Sequence, residues 1–81
     1  MIRNKKVKNA FVAAVALRNE VKVAYLKSVH QSHDTHFITA AERSIIQGEY
    51  RVVEGLTAEQ EQLLADHESL VELINKIATY L

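Results

Sequence analysis

In the last third of the chain, apolar residues return at alternating steps of four and three. Leu63, Leu70, Ile74, Ile77 and Leu81 form the stripe, with His67 filling one of its places. Leu64, Val71 and Ala78 run beside it, while Gln62, Asp66, Ser69, Glu72 and Lys76 occupy the opposite side. This is a helical period with an apolar face wide enough for more than one neighbour. The segment Thr57-Ala58-Glu59-Gln60 supplies its start: a threonine hydroxyl and a glutamine three residues on can each satisfy one end-of-helix N–H. Glu59 and Glu61 then sit at the positive end of the helix dipole. A helix is predicted over about residues 58–80.

A second stripe reads Ile38, Ala41, Ile45, Gly48 and Val52, with Ile46, Tyr50 and Val53 beside it. Gly55 fits the left-handed position just past a helix end, so this helix is predicted over about 39–54. Thr39-Ala40-Ala41-Glu42 offers a capping box for its start, and Asp34 offers an earlier cap. Gly48 falls on the buried stripe, where glycine costs about 1 kcal/mol relative to alanine. A close approach by another helix and a kink both account for it.

The first helix is predicted over about 5–30. Val7, Ala10, Phe11, Ala14, Leu17, Val21, Ala24 and Tyr25 form one stripe; Val12, Val15, Val23 and Leu26 form another, broken by Asn19. The expected fold is therefore all-α, a three-helix antiparallel bundle forming a single domain over 1–81. The long first and third helices would span roughly 35 Å, the second about 24 Å. A shorter middle helix leaves the long ones partly uncovered, and the first helix carries more apolar surface than its own chain can shield. The expected resolution is a homodimer that buries Val12, Val15, Val23 and Leu26.

Composition supports this picture. With no proline and only two glycines, Gly48 and Gly55, the chain has little punctuation for β-hairpins. With no cysteine it has neither disulfide nor thiolate metal cage, and a core of this size yields roughly 3–5 kcal/mol on its own. A second copy is the natural extra source of buried area. The net charge is zero but unevenly spread. Through His30 there are seven Lys/Arg against Glu20 alone, and beyond it three against nine acids, so the halves carry +6 and −6. Charge of this kind orients association between helices or between copies. The basic start followed by Ala10–Leu17 resembles a targeting signal, but the apolar run is short and Arg18-Asn19-Glu20 follows at once. No stretch reaches the length of a membrane span, and a cytoplasmic location is expected.

Candidate chemistry is sparse. His30, His33 and His36 with Asp34 form a metal-capable cluster, but on a helix His36 points away from the other two, so a polar connection is the plainer reading. His67 in an apolar stripe reads as a core or interface histidine. There is no nucleophile elbow, no glycine-rich phosphate loop and no Glu-x-x-His pair, so neither an enzyme nor a bound cofactor is expected. Arg3, Lys5, Lys6 and Lys8 oppose the dipole of the helix they begin and are candidate contacts to nucleic-acid phosphate, although four charges on a neutral domain are few. The expected function is a protein–protein interaction or assembly module, homodimeric, serving a larger protein target as an adaptor, inhibitor or accessory subunit of the phage or plasmid kind. The alternative is a nucleic-acid-binding regulator.

Overall fold

The computed structural model describes residues 5–81. They form three α-helices, α1 (Lys5–Ser32), α2 (Thr35–Gln47) and α3 (Ala58–Ala78), and a short 3-10 turn at Tyr50–Val52; there is no strand among the described residues. α1 packs along α3 for most of its length, and α2 packs on α1. Both later helices run back along α1. Gln60 at the start of α3 bonds to Ser28 and Ser32 at the end of α1, and further along α3 His67 shares a groove with Arg18 and Lys22. Likewise Glu42 of α2 meets His30, and Ile45 to Gly48 lie beside Arg18 and Lys22. The result is a rod of 47 × 19 × 18 Å: three helices at the loop end and an arm of α1 and α3 beyond the point where α2 stops.

The start of α3 follows the expected chemistry. Gln60 N–H donates to the Thr57 hydroxyl at 3.2 Å, and Thr57 N–H donates to Gln60 Oε1 at 3.0 Å. The same glutamine is buried and donates through Nε2 to Ser28 Oγ at 3.1 Å and Ser32 Oγ at 2.6 Å. One side chain therefore caps α3 and ties it to the end of α1.

The boundaries of α2 correct the expected 39–54. Asp34, not Thr39, caps its start: Oδ1 accepts from Phe37 N–H at 2.9 Å, while the Thr39 hydroxyl bonds back to the Thr35 carbonyl inside the helix. α2 ends at Gln47 because Gly48 turns left-handed (φ +73°), with its N–H returning to the Ser44 carbonyl. The Ser44 hydroxyl donates to the Glu49 carbonyl and fastens the same turn. Gly48 is thus an exposed helix terminator, neither a kink nor a close contact. The close contact belongs to Gly55 (φ +89°), where a Cβ would lie 3.3 Å from the Phe37 ring.

The main core lies at the loop end. Tyr25, Val29, Ala41, Ile45 and Leu64 are buried together, with Leu26, Phe37, Leu56 and Leu63 packed around them. Among the described residues the Tyr25 hydroxyl has no hydrogen-bond partner, and burial pushes its pKa above the ordinary tyrosine value. Among the described residues of the arm only Ala14 and Ile74 are buried, because two helices cannot enclose a core as three can.

The role of Gly48 gives a prediction of sign. Gly48→Ala places a side chain in a left-handed conformation and should destabilise the protein by about 1 kcal/mol in urea unfolding. Had α2 continued through this position, the same change would stabilise it by a similar amount.

Candidate functional site

The buried face of α1 is rotated from the expected one. Ala14, Tyr25 and Val29 are buried, and Arg18 and Lys22 are half-buried among them with their stems along the helix. Ala10, Leu17 and Ala24, read from the sequence as core, face outward. Of the four expected interface residues, Val12 and Val23 are exposed at 58% and 64%, Val15 is half-buried, and Leu26 is half-buried against the core. The outer face of α1 is therefore Val12, Ala13, Ala16, Leu17 (48% exposed), Val23 and Ala24, interrupted by Glu20. A shallow apolar depression lies on it beside Asn19, Glu20, Val23 and Ala24. By contrast, the outer face of α3 is mostly polar, with Glu61, Asp66, Ser69 and Glu72 exposed beside a single large apolar residue, Leu73. Sequence reading missed Ala13, Ala16 and Leu17 because two cations on the inner face concealed the phase of the stripe.

The clustered histidines do not converge. His30 Nε2 lies 2.7 Å from Glu42 Oε1. His33 stacks on Phe37, with ring centroids 3.9 Å apart; its Nε2 donates to the Gly55 carbonyl at 3.0 Å, and its Nδ1 lies 2.8 Å from Ser32 Oγ. His36 is exposed on α2. Among the described residues no group of three or more histidine, cysteine or carboxylate side chains is placed to hold a metal ion. The run acts as a clasp: His33, the Ser32 hydroxyl and Gln60 join the end of α1 to the start of α3.

Lys5, Lys6 and Lys8 lie on the first turn of α1, which contains no acidic residue, and all three are exposed; Arg3 falls outside the described residues. No helix among the described residues is long and apolar enough to cross a membrane.

One polar site is built into the interior. His67 is buried on α3, and its Nδ1 lies 2.9 Å from the Tyr50 hydroxyl, the rings tilted at 50°. Burial lowers the His67 pKa from its ordinary value, and the positive charges of Arg18 and Lys22 lower it further. Tyr50 is pushed up by burial and by Glu68, against a smaller pull from Arg18. These groups border a groove of about 380 Å³, whose other walls include Ile45, Gly48 and Val71. The pair Tyr50–His67 was not legible in sequence, since it depends on α2 ending early and the 3-10 turn swinging Tyr50 onto α3.

The chain has no match among protein-family models, curated proteins or solved structures.

A lowered pKa means that the folded state resists protonating His67 while the unfolded chain accepts the proton near the ordinary value of 6.5. This histidine's share of stability is fully present above that pH and is lost as pH falls from it toward the folded-state pKa. Thermal midpoints should therefore drop as pH is lowered from about 7.5 to about 5, and His67→Gln should flatten that dependence. An equally steep profile in the variant would remove His67 from the account.

Proposed function

We propose that this protein is a helical assembly module that pairs with a second copy through the outer face of α1. The observation that carries this reading is the exposure of Val12, Leu17 and Val23, set among Ala13, Ala16 and Ala24 on one side of one helix. Each exposed valine or leucine forgoes roughly 1–3 kcal/mol of burial, and small residues between them let a second helix come close. An apolar face of this extent, broken by Glu20, is uncommon on a soluble monomer.

Charge favours a second copy in antiparallel register. Lys5 and Lys8 mark one end of α1, and the other end gathers Asp34, Glu54, Glu59 and Glu61, all exposed. Antiparallel pairing sets the basic end of each copy beside the acidic end of the other, twice over by symmetry. It also sets Val12 of one copy near Val23 of the other. The paired module then presents its mostly polar α3 faces outward, available to a larger protein target. Nothing in this reading requires catalysis or a bound cofactor.

Light scattering on the full chain should give the mass of two chains. Val12→Glu with Val23→Glu should give the mass of one chain with its helical circular dichroism intact, because both residues lie outside the monomer's core. A single-chain mass for the unaltered protein, or a variant that keeps the parent's mass, would contradict the proposal. If the unaltered protein instead binds a heparin column and loses retention when Lys5 and Lys8 become Gln, the nucleic-acid alternative gains ground.

A further inference from the structure

The groove between α1, the end of α2 and α3 adjoins the outer face of α1 at Asn19, and its electrostatics are unbalanced. Arg18 and Lys22 stand four residues apart on one helix face, where like charges repel, and both are half-buried. Among the described residues no carboxylate lies within ion-pairing distance of either; the guanidinium is held only by Asn19 Oδ1, at 3.1 and 3.4 Å. The end of α2 faces the groove at Gln47 and Gly48, and the negative end of a helix dipole is worth about half a unit charge. Two full cations exceed that, and Glu68, whose charge acts on Tyr50 at the groove, pairs with neither of them. Neither hydrogen-bonds the carbonyls at that helix end, so they are not spent on capping it. Solvated surface lysines in such numbers would be unremarkable. Here they are half-buried beside a buried histidine whose charged form they oppose.

The rest of the groove says what fits. Its volume, about 380 Å³, suits a small molecule rather than a dinucleotide or a helix. Ile45 and Val71 line part of it, and Tyr50 and His67 line another part as a connected polar pair. We propose that this groove is a binding site for a small ligand bearing one oxyanion, a carboxylate or a phosphate group, held by Arg18 and Lys22, with a short apolar portion against Ile45 and Val71. Bound there, the anion relieves the repulsion between the two cations. It also offsets their effect on His67, so that binding at the groove is communicated to the Tyr50–His67 contact joining the 3-10 turn to α3. The charged and titratable groups around that histidine are Arg18 and Lys22 from α1 and Tyr50 from the 3-10 turn, with Glu68 acting on Tyr50.

The test is an NMR titration of the isotope-labelled full chain with inorganic phosphate in one arm and butyrate in the other, each against sodium chloride at equal ionic strength. The expected result is a saturable shift confined to Gly48, Val71 and the His67 ring in at least one arm, with the His67 titration moving to higher pH as the ligand saturates. The responding arm distinguishes phosphate from carboxylate recognition. Arg18→Gln and Lys22→Gln should each weaken binding by about tenfold or more, as loss of a hydrogen bond to a charged group implies. Both variants remove repulsion and should fold, which their unchanged amide spectra elsewhere will show. Three results would each overturn the proposal: no saturation in either arm by about 10 mM, shifts that chloride reproduces, or undiminished binding in the double variant. Repeating the titration on Val12→Gln with Val23→Gln, which blunts the apolar face without adding charge beside Asn19 and Lys22, separates this outcome from pairing.

Discussion

α1 is the helix against which the other two are folded, and it carries apolar residues on its outer side as well as on the side that faces α3 and α2. Its own chain gives it one long companion, α3, and one short one, α2, which halts at Gly48 after 13 residues. Everything notable about the molecule follows from that shortfall. The loop end acquires a three-helix core around Tyr25, Val29 and Leu64; the arm does not; and one flank of α1 stays bare. Hydrophobic burial is the dominant favourable contribution to folding, and a chain of this length has little of it to spare. A second copy is the simplest source of what is missing.

Polar groups hold the loop end in register. Gln60 is shared between the cap of α3 and the serines of α1, and His33 spans from Ser32 to the Gly55 carbonyl while stacking on Phe37. Gly55 is required on two counts, its left-handed backbone and the absence of a Cβ against Phe37. These contacts fix where α3 begins, and hence which residues of α3 meet α1. The placement of His67 beside Arg18 and Lys22, and so the groove itself, is a consequence of that register.

The sequence made some of this legible and hid the rest for identifiable reasons. Thr57 and Gln60 announced the start of α3 because both halves of the capping box are local. The end of α2 was ambiguous because Gly48 and Gly55 both adopt positive φ, and only the tertiary fold decides which of them stops the helix. Its start was ambiguous because Asp34 and Thr39 both suit a cap, and Asp34 won once the chain left α1 at Ser32. The phase of α1 was obscured by Arg18 and Lys22, whose charge reads as outward while their stems lie inward. Val12 and Val23 were found as surplus apolar positions; Leu26, grouped with them by spacing, serves the core instead. The groove was invisible because its residues come from four separate elements.

Solvent contact at the outer face of α1 tests the central claim most directly. With isotope-labelled methyl groups and a soluble paramagnetic probe, the methyls of exposed residues relax fastest. Leu73 on α3 and Val52 in the 3-10 turn, both exposed and away from the proposed contact, set the scale. The account predicts that Val12 and Val23 are shielded relative to these two at high protein concentration and lose that shielding on dilution. Val12 and Val23 methyls that relax as fast as those of Leu73 and Val52 at every concentration would contradict it.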